Sequence, residues 1–257
     1  MISLTQALLG GVSGIFVGFS LGLIGGGGSI LAVPLMVYLV GVPNAHVAIG
    51  TSALAVAASA ASSLAIHARA GTVKWGCALV LAAAGVVGAT VGSHIGKMMD
   101  GQRLLTLFAL LMLVIAALMR RRREHGGNPS VRLTAANAPK LAGVGLLTGM
   151  LSGFFGIGGG FLIVPALVFA TDMPLAYAVS SSLVAVLAFG LTTATSYAAS
   201  GLVNWPLTAV FIAGGLAGGM IGVKASHSLA SKRTALSDVF VVVICCVALY
   251  MLYKSWV

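Results

Sequence analysis

The sequence predicts an all-α polytopic membrane protein made of two homologous halves. Three observations carry this. Of 257 residues, 59% are apolar and only 7% charged, against the roughly 25% charged share of soluble domains. The chain matches itself at a shift of 131 and then 130 residues, and its 35 glycines gather at corresponding points of the two copies. Too little polar surface is present to cover a globule in water, so apolar segments along the whole chain must face lipid.

The charge balance agrees with that class. Fourteen Lys and Arg stand against four acids, Asp100, Glu124, Asp172 and Asp238, for a net charge of +10. In a soluble chain this balance would suggest nucleic acid. Here Arg120 to Arg123 directly follow an apolar segment, as the positive-inside rule places basic residues at cytoplasmic span ends. No nucleic-acid partner is expected; the expected partners are the lipid bilayer and a small substrate. Cys77, Cys245 and Cys246 lie in apolar stretches with neither metal nor disulfide spacing, and read as small packing residues. No metal and no cofactor are expected. Met1 to Gln6 carry no Lys or Arg, so no cleavable signal peptide is expected.

The repeat organises the chain. At a shift of 131, Gly22, Gly25, Gly27, Gly28 and Pro34 fall on Gly153, Gly156, Gly158, Gly159 and Pro165. At 130, Ser52, Gly71, Val73 and Trp75 match Ser182, Gly201, Val203 and Trp205, and Gly85, Gly88 and Gly92 match Gly215, Gly218 and Gly222. The expected units are a first membrane repeat over 1–119, a basic cytoplasmic linker over 120–140 and a second repeat over 141–257.

Each half reads as five apolar segments. They are about 4–24, 29–41, 45–68, 75–96 and 104–119, then 141–157, 160–171, 176–199, 205–226 and 235–253. A full crossing needs roughly 20 residues, so the second segment of each half is short and reads as a half-helix met by an unwound stretch. Charge counting sets the parity. With the Arg-rich linker inside and five crossings per half, eleven cations lie inside, against Lys97, Arg103 and Lys254 outside. Four crossings per half would give nine against five. The expected architecture is therefore a pair of inverted repeats with glycine-broken helices, a common plan of secondary transporters.

Two duplicated motifs carry the chemistry. The first is the glycine run, Gly25 to Gly28 before Ser29, and Gly156, Gly158, Gly159 and Gly160 before Phe161. Such runs break a helix and let a ligand approach the backbone. The short helix that follows would aim free N–H groups and a positive dipole end into the break. The reading is an anion site, with tight helix packing as the plainer alternative; packing accounts well for Gly88 and Gly92. The runs are not a dinucleotide fingerprint, since no strand precedes them and no acid follows at the required spacing. The second motif is Gly50, Thr51 and Ser52, matched by Ser180, Ser181 and Ser182. These hydroxyls can cap helices or donate to an oxyanion.

The doubled motif from glycine run to proline, followed by Pro43 to Ser52 and Pro174 to Ser182, resembles the TauE/SafE sulfite exporter family of bacterial membrane proteins. The resemblance covers essentially the whole chain. It implies a multi-pass protein of the bacterial inner membrane that transports sulfite, organosulfonates or related small anions. It carries over to Gly25, Gly27, Gly28, Pro34, Gly50, Thr51 and Ser52, and to Gly156, Gly158, Gly159, Pro165 and Ser180 to Ser182. Ser180 and Ser181 stand where the first half has Gly50 and Thr51, a departure from strict duplication.

The remaining polar residues read as follows. His67 lies near the end of the third segment, opposite Tyr197 in the repeat, and is expected at the interface or, as the alternative, in proton transfer together with Asp238. Arg103 and Arg233 read as paired anchors, and Trp75 and Trp205 as belt residues. No nucleophile with its base, carboxylate pair or ligand cluster suggests an enzyme. Intramembrane acids, the usual carriers of coupled protons, are nearly absent. The expected activity is therefore efflux of an anion down the membrane potential; the alternative is proton-coupled uptake or exchange of a small organic acid.

Overall fold

A computed structural model describes residues 3–121, 128, 131–156, 158, 160–228 and 233–256. The described residues form helices and connecting turns. In the first half these are α1 (Leu4–Ile24), a 3-10 coil (Gly25–Leu31) leading into a short helix α2 (Gly28–Leu39), α3 (Ala45–Arg69), α4 (Trp75–Met98) and α5 (Gly101–Arg121). In the second they are α6 (Ala138–Phe155), α7 (Gly160–Thr171), α8 (Leu175–Ala199), α9 (Trp205–Ser228) and α10 (Arg233–Trp256). Among the described residues the ten segments expected from the repeat are ten helices, and six of them are long and apolar enough to cross a bilayer. Of the linker expected at 120–140, residues 122–127, 129 and 130 fall outside the described residues.

Local chemistry sets the helix ends. Ser3 accepts from the Gln6 amide at 3.1 Å while Gln6 Oε1 accepts from Ser3 N at 3.2 Å, a reciprocal cap that opens α1. Asn44 Oδ1 accepts from the His46 amide at 2.9 Å and so starts α3. Asp100 Oδ1 accepts from Gln102 N and Arg103 N at 3.0 and 3.2 Å, starting α5. The short helix α2 is irregular because Pro34 cannot donate to the carbonyl one turn back. After it the coil widens to a π turn over Leu35–Leu39, and Val40 N reaches Leu35 O at 2.9 Å. α7 keeps its α geometry despite Pro165.

Packing follows the repeat but crosses between halves. α1 lies on α9, and its counterpart α6 lies on α4. A Cβ added at Gly18 would strike the Gly215 backbone, 2.7 Å from its carbonyl carbon; one added at the equivalent Gly149 would strike Gly85, 2.6 Å from its Cα. Gly14 faces Phe211 and Gly22 faces Gly219, while Gly145 faces Leu81 and Gly153 faces Ala89, so both pairs run parallel. Lipid tails supply no hydrophobic drive between helices. Backbone approach of this kind replaces it with dispersion and Cα–H···O contacts, each about 0.5–1 kcal/mol. Gly88 against Leu146 and Gly92 against Met150 belong to the same seam, the packing role their sequence spacing suggests.

The centre is α3 against α8. Gly50 lies beside Tyr197, Gly190 beside Ala53 and Ala57, and Ser180 beside His67. These two equivalent helices are therefore antiparallel. α3 runs parallel to α9, with Ser59 at Gly215 and Ser63 at Gly219. α8 runs parallel to α4, with Ser181 at Lys74 and Ser196 at Lys97. Thus α1, α3 and α9 point one way and α4, α6 and α8 the other. Side chains such as Phe16 and Leu147, 59% and 63% exposed, form the apolar exterior. α5 and α10 pack on each other.

Candidate functional site at the paired glycine breaks

Both breaks are conformations that need glycine. Gly25 ends α1 at φ 73°, ψ −147°, a region closed to residues with a Cβ. Gly156 ends α6 in the left-handed region at φ 68°, ψ 21°, its amide reaching Ser152 O. Each break is also pressed against the other half. A Cβ at Gly25 would stand 2.6 Å from the Val179 side chain, and one at Gly156 would strike Ile49. Ile49 and Val179 are equivalent residues, each immediately before a hydroxyl motif. So the first break is seated on the second half's motif, and the second break on the first half's.

From Gly156 the chain reaches Gly158 at φ 67°, whose added Cβ would lie 3.2 Å from Val56 and 3.5 Å from Val186. Those valines are themselves equivalent, so this glycine sits where the halves meet. The 3-10 coil beginning at Gly25 packs on α7. Gly25 and Gly156 thus sit toward opposite ends of the α3–α8 pair, the coil after the first touches the helix after the second, and Gly25, Gly28, Ser29, Gly156, Gly158 and Gly160 are all buried. Gly159 lies outside the described residues, as does the side chain of Asp238; Gly27 is placed as backbone within the 3-10 coil. At Gly28 a Cβ would meet the α1 backbone at Leu21, 2.7 Å from its Cα, so this glycine serves close packing as well as the break.

The hydroxyl motifs do not converge on one point. Gly50 is beside Tyr197 and Ser180 beside His67, which separates them by on the order of 25 Å along α3 at the helical rise per residue. Their hydroxyls have specific partners. Thr51 Oγ1 accepts from Asn204 N at 3.0 Å, and its equivalent Ser181 Oγ accepts from Lys74 N at 2.8 Å. Each thus caps the entry to a helix of the opposite half. Ser52 Oγ donates to Ile49 O at 3.1 Å and Ser182 Oγ to Val179 O at 2.7 Å. Ser180 Oγ lies 3.2 Å from His67 Nδ1.

That last contact explains the departure between the repeats. Where Ser180 meets an imidazole, Gly50 meets Tyr197, and a Cβ there would stand 2.9 Å from the Tyr197 Cβ and strike Leu202 O. Small residue against large ring at one end, hydroxyl against imidazole at the other, keeps both ends filled. His67 is buried, at 7% exposure, because the antiparallel α8 covers it. Among the described residues no group of three His, Cys, Asp or Glu side chains could hold a metal. The two breaks and the two hydroxyl motifs contain no acid.

The family model described as sulfite exporter TauE/SafE matches residues 11–251. The chain belongs to that family. Its TauE/SafE relatives include a "Probable membrane transporter protein" of Xylella fastidiosa (strain Temecula1), 50% identical over 95% of this chain and 94% of the relative. The "Probable membrane transporter protein YunE" of Bacillus subtilis is 27% identical over 88% and 90%. A "Probable membrane transporter protein" of Haemophilus influenzae is 29% identical over 86% and 85%. No solved structure matches the chain. The protein is a multi-pass membrane transporter of the TauE/SafE family.

Proposed function

We propose that this transporter moves small anions outward across the bacterial inner membrane, with sulfite or an organosulfonate as the first candidates. The observation that carries the reading is that the coil after Gly25 packs on α7 between the halves, while each break is seated on the other half's motif. The starts of α2 and α7 then bring two positive helix ends toward one buried region. Sites of this kind in transporters hold anionic groups. The halves are read as inverted repeats; support comes from the opposite directions of the equivalent helices α3 and α8. Alternating access then amounts to the α1, α3 and α9 group rocking on the α4, α6 and α8 group about the central valines.

Leaving a negative interior is electrically downhill for an anion, by about 2.3 kcal/mol per charge per 100 mV. No buried proton carrier is needed for that direction. His67 against Ser180 keeps proton-coupled exchange of an organic acid as the second reading. Liposomes loaded with radiolabelled sulfite, an alkylsulfonate or acetate separate the two. Efflux of a sulfur oxyanion should quicken when the interior is made negative and stay nearly unchanged under a pH gradient at zero potential. Flux driven by the pH gradient alone, and lost in His67→Ala, would replace this reading with the second.

A further inference from the structure

We propose a second anion subsite, for a small oxyanion, formed by Lys97, Tyr197 and His46 at the end of the α3–α8 pair where α3 begins. It rests on the reading of the protein as an anion carrier and lies apart from the glycine breaks. Lys97 Nζ donates to Ser196 O at 3.1 Å and Ser200 Oγ at 3.0 Å, and stands 5.8 Å from the centroid of the Tyr197 ring. These partners are all neutral. An ammonium has three donors, so one remains along with an uncompensated charge.

Tyr197 is fully buried at 0% exposure, yet its hydroxyl has no hydrogen-bond partner. The His46 ring lies 6.2 Å from the Tyr197 ring, tilted 34°. Its Nε2 is 3.1 Å from Met99 O. A carbonyl only accepts, so Nε2 carries a proton, while Nδ1 is buried and without a partner. Lys97 of α4 and His46 of α3 therefore flank the Tyr197 ring of α8, and two buried polar atoms of this trio are unused. Buried polar atoms rarely stay unsatisfied without a functional reason. An oxyanion supplies the acceptors for Lys97 and Tyr197, and a proton-bearing oxygen on it, or a bridging water, answers Nδ1.

The protein's own nearby carboxylate does not fill this role. Asp100 is engaged by the Gln102 and Arg103 amides. A cleft of about 570 Å³, lined by Tyr38, Asn44, Ala45, Asp100, Gly101 and Lys254 and by none of the three cluster residues, lies next to His46 in the chain. Ala45 adjoins His46 in the chain, and a Cβ on Gly101 would stand 4.0 Å from His46 Nε2. The cluster is not a by-product of duplication. In the other half His67, already bonded to Ser180, replaces Tyr197.

Equilibrium binding of radiolabelled sulfite to the purified full chain tests the proposal, with methanesulfonate and acetate as competitors. Tyr197→Phe deletes only a hydroxyl without a partner, so it should weaken sulfite binding about tenfold with no fall in melting temperature. Lys97→Gln should weaken it at least as much, and Lys97→Arg should recover part of the loss. A lowered melting temperature with parental affinity in both Tyr197→Phe and Lys97→Gln would make these residues structural and overturn the subsite. Parental affinity without any thermal change would overturn it equally. A parent protein that binds none of the three anions would instead remove the anion-carrier reading, and the subsite with it.

Discussion

Thr51 and Ser181 hold the same position in the two halves and make the same bond across the seam, to Asn204 N and Lys74 N. Both side chains are fully buried, so deleting either hydroxyl strands an amide with no water to take over. Thr51→Val and Ser181→Ala should each cost about 1 kcal/mol, read as a melting temperature lower by about 2–4 °C. Ser52→Ala should change it little, because that hydroxyl only returns to the Ile49 carbonyl of its own helix. Sequence placed these residues in a motif but not their partners. The partners are far along the chain, and neither periodicity nor spacing encodes which half a hydroxyl faces. Lys97, His46 and Tyr197 were equally hidden. In the sequence Lys97 is only a charge to be counted, and its meaning appears when α4 and α8 prove to be neighbours.

At the scale of the helix, glycine decides which surfaces touch. The seams α1–α9 and α4–α6 hold backbone against backbone over Gly14, Gly18 and Gly22 on one side and Gly145, Gly149 and Gly153 on the other. A side chain at Gly18 or Gly149 must push whole helices apart, since the atoms it meets are main chain. Gly18→Leu and Gly149→Leu should therefore sharply reduce the yield of monodisperse protein in size-exclusion chromatography, and by similar amounts. Gly143→Ala, with nothing within 4 Å of its added Cβ, should match the parent or gain slightly in stability. A tolerated Gly18→Leu would show that the seam is not close-packed. This level was partly legible: the helices and their lengths follow from apolar runs, and the breaks from glycine clusters and Pro34 or Pro165. The irregular coil of α2 beside the regular α7 was not, because both carry the same proline and differ only in what surrounds it.

For the whole molecule, the decisive feature is direction. Equivalent helices α3 and α8 oppose each other at the centre, so the proposed inverted topology puts equivalent turns on opposite membrane faces. Ala70 and Ser200 are equivalent and exposed at helix ends. Single cysteines at these two positions, with Cys77, Cys245 and Cys246 replaced, should react with an impermeant thiol reagent from opposite sides. Reaction of both from one side would sink the inverted arrangement. The charge asymmetry visible in the sequence points the same way, since lysines and arginines bias orientation during insertion. The pairing of halves was beyond it. A repeat announces that two units are alike without saying whether each closes on itself or on its twin.

Here each closes on its twin, which matters while the chain is being made. Residues of α1 wait for their seam until Trp205–Ser228 has been synthesised, and α4 waits for Ala138–Phe155. The first half therefore leaves the ribosome with its glycine faces covered only by lipid. It stays a loose set of inserted helices until its counterpart arrives, and the last helices to be translated lock the first one in place.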